Sequence, residues 1–379
     1  MNIEFTEEQV MLREQVRKFV ENEVEPIAAE IDEEHKYPLE TIRKLFKYGY
    51  MAVGFPEEYG GTGFDRVSQA IVTEEIARKC ASTAAIYSIH QAGVWPIQIF
   101  GNKDQKDRYL SKVLHGGLIA GFALTEPNAG SDASNAKTVA VEDGDYYVLN
   151  GTKCFITGAG QAGIYTVLAM TEPDKKTRGM TAFLVEADTP GFTVGKIENK
   201  MGICASQTGE LILKDVRVHK SNILGDLNKG FKVALTCIDG SRIDVTAAQA
   251  LGIAEEAFNL SVKYAKERVQ FGVAIGENQG IQWYLAEMKA KLEQARLVTY
   301  HAAKVANIKK RYSEEAALAK LVSTENARFI VERAMQIHGG YGYMKDYPLE
   351  RMYRDQKITE IYEGTNEICK MVIGRSILG

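Results

Sequence analysis

The chain has 379 residues, 45% of them hydrophobic and 25% charged, with 46 basic against 50 acidic side chains and a formal net charge of −4. That length supports two or three domains with their own cores, and so balanced a charge argues against nucleic acid or an anionic membrane as the main partner. The five cysteines (Cys80, Cys154, Cys204, Cys237 and Cys369) are scattered with no CxxC pair, which argues against a disulfide framework and predicts no metal site.

The opening MNIEFTEEQVMLREQV is acidic and helix-like. It lacks the basic head and apolar run of a secretory signal and the Arg- and Ser-rich texture of a transit peptide, so a cytoplasmic protein is expected. From Thr6 to about Leu118 apolar residues recur three or four apart, as at Val10, Leu12, Val16, Phe19 and Val20, and predict helices. Thr6 with Gln9 is a candidate capping box, and FPEEYGGTGF (55–64) reads as a loop. Residues 80–102 hold no Asp, Glu, Lys or Arg, yet Ser82, Thr83, Ser88, His90, Gln91 and Pro96 favour a buried helix over a membrane span.

Between about 121 and 227 the texture becomes β-rich. In TVAVEDGDYYVLNG (138–151) Asp143-Gly144 sits between two apolar runs like a hairpin turn. IYTVLAM (164–170), MTAFLVE (180–186), FTVGKI (192–197) and ELILKDVRV (210–218) read as further strands. Short, closely spaced strands predict a small antiparallel barrel or sandwich. GAGQAG (158–163) matches the dinucleotide fingerprint G-x-G-x-x-G. That motif works only where the glycines lead into a helix; here they precede an alternating strand, so a nicotinamide Rossmann site is rejected. From Gly230 onward long Ala-, Glu-, Lys- and Leu-rich runs (238–268, 282–308 and 313–337) predict an antiparallel helical bundle. The expected architecture is multidomain α+β: an all-α domain over 1–120, a small antiparallel β-barrel over 121–229 and a four-helix bundle over 230–379.

Four strings carry more weight together than apart: FALTEPNAGSD (122–132), ERVQFG (267–272), QIHGGYGY (336–343) and IYEGTNE (361–367). In these segments and their order the chain resembles the acyl-CoA dehydrogenases, and among them the short-chain, butyryl-CoA type. The resemblance covers essentially the whole length, including the helical–β–helical organisation.

It implies an FAD enzyme that removes an α-proton from an acyl-CoA thioester while the β-hydride goes to flavin N5, giving the trans-2-enoyl-CoA. Because a thioester α-carbon is a weak acid, such a site needs a base of raised pKa and donors to the thioester oxygen. Glu363 falls on the family's base position, and Gly364 beside it leaves room for the backbone to approach the substrate. Isovaleryl- and long-chain relatives place the base instead before an arginine in the long helix after the β domain; here that position is Ser241. Asp239, Ser241 and Arg242 match the substrate-contact segment, with Arg242 helping to hold the CoA moiety.

For the cofactor, the resemblance implies contacts to the isoalloxazine edge from main-chain groups around Phe122, Leu124 and Thr125. Ser131, after Gly130, would reach both a flavin phosphate and the substrate. Phe155 would stack on the flavin and Thr157 hydrogen-bond to it. Arg268 and Gln279 match residues that reach the FAD of a neighbouring subunit, as do Gln336, His338, Gly339, Gly340, Thr365 and Glu367. A guanidinium suits a pyrophosphate because its planar donors pair with phosphate oxygens. FAD shared in this way implies a homotetramer, a dimer of dimers, and the electrons would leave to an electron-transfer flavoprotein.

Read without the resemblance, several of these residues have plainer explanations. Glu363 would be a surface glutamate in a turn, Phe155 strand core, Arg268 a solvated helix charge, and Gly339-Gly340 a helix stop. The chain also departs from the family at Cys204, Gly158 and His219, and lacks the usual Pro after FG in FGVAIG. The helix bearing Tyr87, His90, Gln91 and Trp95 is expected to close the far end of the acyl pocket, so a branched or alicyclic acyl group stays open, as does enoyl-CoA reduction in the reverse direction. An oxidase reading would show as peroxide release. A nucleic-acid-binding relative is disfavoured because residues 231–379 carry 21 Lys and Arg against 18 Asp and Glu.

Overall fold

A computed structural model describes residues 4–379, so the first three residues of the acidic opening segment lie outside the described residues. Six helices come first: α1 (Glu7–Glu23), α2 (Ala28–Glu33), α3 (Leu39–Lys47), α4 (Arg66–Lys79), α5 (Ala81–Phe100) and α6 (Lys103–Leu114). The expected capping box forms: Gln9 N donates to Thr6 Oγ1 at 3.2 Å, and Thr6 N to Gln9 Oε1 at 3.1 Å. Leu12, Val16, Phe19 and Val20 of α1 are buried, while Val10 stays exposed. The uncharged stretch becomes α5, which is buried along nearly its whole length between α4, α6, α7 and the first strand. No helix among the described residues is long and apolar enough to cross a membrane.

The β region is a seven-stranded sheet in the order β1-β4-β2-β3-β7-β6, with β5 also paired to β4. Its strands are β1 (Ala120–Ala123), β2 (Val139–Asp143), β3 (Tyr146–Thr157), β4 (Ile164–Met170), β5 (Met180–Glu186), β6 (Phe192–Ile197) and β7 (Thr208–His219). The pairs β2–β3, β3–β7, β4–β5 and β6–β7 are antiparallel, as expected. β4, however, runs parallel to β1 and, at Val139–Met170, parallel to β2. The hairpin loop is Gly144-Asp145, one residue later than the sequence pattern places it: Asp143 already pairs with Tyr146, and Gly144 takes φ +58°. The GAGQAG glycines form the turn between β3 and β4, and no helix follows them.

The third region holds α7 (Gly230–Ser241), α8 (Ala248–Glu267), a two-stranded hairpin of β8 (Val269–Gln270) and β9 (Val273–Ala274), α9 (Gln279–Ile308), α10 (Ser313–His338), α11 (Leu349–Lys357) and α12 (Asn366–Leu378). α10 packs against α8, α9, α11 and α12. The run read as one helix from 238 to 268 is interrupted: a π-helical turn, Arg242–Ala247, joins α7 to α8. Such widened turns insert one residue into the helical repeat and re-aim the side chains around them, and they recur at functional sites. Here the π turn is wholly buried and begins at Arg242.

Candidate active site

The chain between α11 and α12 is strained where it carries Glu363. Glu363 takes φ +55° and Gly364 φ +86°, two successive left-handed residues. For a non-glycine residue that geometry costs about 1–3 kcal/mol and persists only where the surroundings enforce it. α12 fixes one side: Ile368 N donates to Thr365 Oγ1 at 3.3 Å, capping the helix. Lys320, wholly buried on α10, fixes the other, donating to Glu360 O at 2.9 Å and Asn366 Oδ1 at 2.7 Å. The backbone at 364 favours glycine through its φ of +86°, and a Cβ there would also stand a tight 3.3 Å from Arg242 Nη2.

Arg242 ties this turn to the π turn. Its Nε donates to Glu363 O at 3.3 Å and its Nη1 to Asp239 Oδ1 at 2.9 Å, while the Ser313 hydroxyl donates to the other Asp239 oxygen. Ser241 donates to Cys237 O at 2.9 Å and lies close enough to Glu363 to stabilise its ionised form. Burial pushes the Glu363 carboxyl up to about 7, against the opposing pull of Arg242, Lys320 and Ser241. The residue nevertheless keeps a partly open edge. Burial likewise brings Lys320 down to about 8. Glu363, Gly364, Ser241, Arg242 and Asp239 therefore form one cluster: a carboxylate that titrates near neutrality, accessible on one side and braced by two cations. Such a group can take a proton from a weakly acidic carbon.

The β-domain residues form a second group. Phe122 lies in β1; Leu124 and Thr125 follow it and are locked from below. Lys153 Nζ, wholly buried, donates to Leu124 O at 3.0 Å and to Glu126 Oε1 at 2.7 Å, and Cys154 N donates to Thr125 O at 2.9 Å. Glu126 also accepts from Thr138 N at 3.0 Å, closing the loop that displays Gly130 and Ser131 to solvent. Phe155 is 65% exposed at φ +56°, in a register shift of the β3–β7 pairing, with Thr157 half-buried two residues on. Phe155 is thus not strand core. An exposed aromatic ring on strained backbone beside a braced loop fits a planar ring system, as isoalloxazine is.

A third group lines a cleft of about 490 Å³. Arg268 stands 5.7 Å from the Tyr341 ring centroid, and His338 stacks on Tyr264 at 4.1 Å. His338 Nδ1 lies 2.8 Å from Ala334 O, while its buried Nε2 has no partner. Gly339 and Gly340 present bare backbone, with open space where a Cβ would stand. Gln336 is exposed beside them. The Arg268 guanidinium and the open backbone suit an anionic group, while His338 Nε2, left as an acceptor because Nδ1 faces the Ala334 carbonyl, suits a hydrogen-bond donor; a dinucleotide offers both. Gln279, at the start of α9, and Glu367, in the first turn of α12, are exposed and do not line this cleft.

The cleft and the Glu363 cluster lie far apart in one chain. Lys320 and His338 are 18 residues apart on α10, or about 27 Å at 1.5 Å per residue. Three participants escaped the sequence reading: Lys153, Lys320 and the loop-closing Glu126. Both lysines left a signal. Lys153 falls on the inward phase of β3 with Tyr147 and Leu149, and Lys320 shares the apolar face of α10 with Ala316 and Ala317. Cys204 lies beside Arg354, whose guanidinium pairs with Asp32 at 2.6 Å and reaches Met201 O at 3.2 Å. No cluster of potential metal ligands occurs among the described residues.

Three family models match in succession: "Acyl-CoA dehydrogenase, N-terminal domain" over residues 6–117, its middle domain over 121–216 and its C-terminal domain over 228–378. The chain is 52% identical to an acryloyl-CoA reductase (NADH) of Anaerotignum propionicum, covering 100% of this chain and 96% of that protein. It is 46% identical to a short-chain-specific acyl-CoA dehydrogenase of Clostridium acetobutylicum, with both chains covered in full. Among solved structures, butyryl-CoA dehydrogenase from Megasphaera elsdenii superposes with a TM-score of 0.98 at 43% identity. A chain from the structure of the electron transferring flavoprotein of Acidaminococcus fermentans does so with a TM-score of 0.98 at 44% identity. Each of these two superpositions covers 100% of both chains.

Proposed function

This chain belongs to the acyl-CoA dehydrogenase family, and from that premise we propose that it catalyses α,β-dehydrogenation of a short acyl-CoA with Glu363 as the base. The observation that carries the proposal is the state of Glu363: a carboxyl pushed up to about 7, on a strained turn, beside Arg242 and Lys320. A base of that pKa is half ionised near neutrality and gains the most from accepting a proton there. The Glu363 backbone N–H would donate to the thioester oxygen, and the charge on Arg242 favours the enolate-like state. Arg242, Asp239 and Ser241 hold the substrate against the turn, Gly364 leaves it room, and Ser131 closes over it.

The residues present fit FAD. Phe122, Leu124, Thr125, Gly130, Ser131, Phe155 and Thr157 would hold its ring system. Arg268, Gln279, Gln336, His338, Gly339, Gly340, Thr365 and Glu367 would hold the far part of a neighbouring protomer's FAD. Bound flavin supplies the two-electron acceptor for the β-hydride. The ~27 Å between the cleft and the Glu363 cluster supports sharing between subunits, as do the fully exposed Phe271 at the β8–β9 hairpin and the exposed Trp283 on α9. A homotetramer follows on this reading, cytoplasmic and coupled to an electron-transfer flavoprotein; the likeness to a chain from the structure of the electron transferring flavoprotein of Acidaminococcus fermentans supports the last point.

A second direction has its own support, because a relative at 52% identity is named a reductase. The same residues then protonate the α-carbon of an enoyl-CoA, with Glu363 as the acid. The test is to mix the purified flavoprotein anaerobically with butyryl-, isobutyryl-, hexanoyl- and cyclohexanecarboxyl-CoA and record the flavin band. Bleaching by a short thioester that disappears in Glu363→Gln, with flavin still bound, is expected. Substantial bleaching in Glu363→Gln would remove the base assignment.

A further inference from the structure

Beside the Arg242 turn lies a buried ion pair with no part in handling the α-proton. Arg66, the first residue of α4, and Asp244, in the π turn, are 7% and 3% exposed and are joined side chain to side chain. Arg66 also lies 4.1 Å from the Trp95 ring centroid and 5.9 Å from that of Tyr312. Gly240 backs directly onto it: a Cβ there would stand 2.7 Å from Arg66 Nη1. The pair adjoins the Glu363 cluster, because the Cys237 thiol, one helical turn before Ser241, feels the charges of both Arg66 and Glu363.

The pair is incompletely satisfied. Asp244 uses one oxygen for Arg66, and its Oδ1 is buried with no partner. Tyr87 on α5 is 0% exposed and lies within electrostatic reach of Asp244; the Gln91 side chain is near its hydroxyl, which makes no hydrogen bond of ordinary length. The amides nearby are largely engaged: Gln69 Nε2 donates to Val53 O at 2.9 Å and to Gln91 Oε1 at 3.2 Å, and Trp95 Nε1 to Gln69 Oε1 at 3.2 Å, while Gln91 Nε2 donates to Met51 O at 3.0 Å and keeps a second hydrogen. Unpaired polar atoms at this depth are costly and uncommon, and they call for a partner.

We infer that Arg66, Asp244 and Tyr87 form a polar wall at the distal end of the acyl chamber, selecting a short acyl-CoA whose far end carries a neutral hydrogen-bonding group, a hydroxyl in the simplest case. This rests on the proposed acyl site at Glu363. A hydroxyl can donate to Asp244 Oδ1 and accept from the Tyr87 hydroxyl, completing both. A carboxylate tip would meet the Asp244 charge, and an ammonium tip would meet Arg66. An alkyl tip would leave Asp244 Oδ1 unpaired. Sites built to hydrogen-bond a substrate hydroxyl discriminate steeply against the analogue that lacks it.

The test compares butyryl-CoA with 4-hydroxybutyryl-CoA on the FAD-loaded protein, reading the second-order rate of anaerobic flavin bleaching. The expected result is a preference of at least about tenfold for the hydroxylated thioester, shrinking about tenfold in Tyr87→Phe, which removes one oxygen and keeps the ring. The double variant Arg66→Met with Asp244→Leu replaces the pair by apolar side chains and should reverse the preference. Equal or faster bleaching by butyryl-CoA in the parent, with the ratio unmoved in Tyr87→Phe, overturns the inference while the dehydrogenase reading stands; an ordered water then satisfies the pair. Flavin that no saturated thioester bleaches, and whose reduced form no enoyl-CoA reoxidises, overturns both.

Discussion

The position of Glu363 predicts where activity fails as pH falls. Its carboxyl lies at about 7 rather than 4.5, so ionising it in the folded chain costs about 3 kcal/mol more than in water. A base must be ionised in the free enzyme, so kcat/KM for dehydrogenation should rise with pH along a limb of unit slope with its midpoint near 7. At pH 6 about one molecule in ten carries the ionised base, and each further unit downward costs about tenfold. Arg242 is the largest of the influences opposing burial, so Arg242→Gln should move the midpoint to higher pH, whatever it does to the plateau. Initial rates from pH 5.5 to 8.5 with a dye acceptor would provide the profile. A limb centred below pH 5.5, or a midpoint that falls in Arg242→Gln, would refute the reasoning.

The same titration bears on stability. The neutral Glu363 carboxyl favours the folded chain, so its contribution is complete below about pH 4.5 and is lost as pH rises through about 7. Glu363→Gln should therefore melt higher than the parent at pH 8 and close to it at pH 5, by a fraction of the 3 kcal/mol because one edge is open to solvent; equal differences at both pH values would contradict this. Lys153→Met leaves Glu126 buried without its cation and should destabilise by about 3 kcal/mol, lowering Tm and flavin retention together. Arg268→Ala should shed flavin on gel filtration, and retention equal to the parent would remove the inter-subunit reading. Gly364→Ala forces a side chain into φ +86° and toward Arg242, and should lose about 1–3 kcal/mol with a marked fall in kcat, read by melting and steady-state rates.

Much of this fold follows from local sequence pattern. The runs at 164–170, 180–186 and 192–197 coincide with β4, β5 and β6 residue for residue; β4 and β5 are buried on both faces, so short length, β-branched and aromatic residues and flanking turn residues mark them rather than a period of two. β1 was missed: AGFA is only four residues long, and its parallel pairing with β4 carries no local signature. The π turn was missed for a related reason. Nothing in SRIDVTAAQA departs from a helical pattern, and the widening accompanies contacts that Arg242 and Asp244 make with residues remote in sequence.

The site divides along the same line. Glu363, Gly364, Arg242 and Asp239 could be picked out because motif strings name them, and the structure brings them together. Their effect on one another could not be read in this way, since Lys320 lies 43 residues upstream of Glu363 and Arg66 lies 178 upstream of Asp244. What links these cases is conflict between levels. A glutamate and a phenylalanine sit in left-handed backbone, two lysines are buried in apolar faces, and a charged pair is buried with an oxygen to spare. A sequence selected for stability alone would remove each of them. Their retention beside the Glu363 turn and along the braced loop of the β region marks where this chain departs from what its fold requires, and on the proposed reading that is where its substrate preference should be sought.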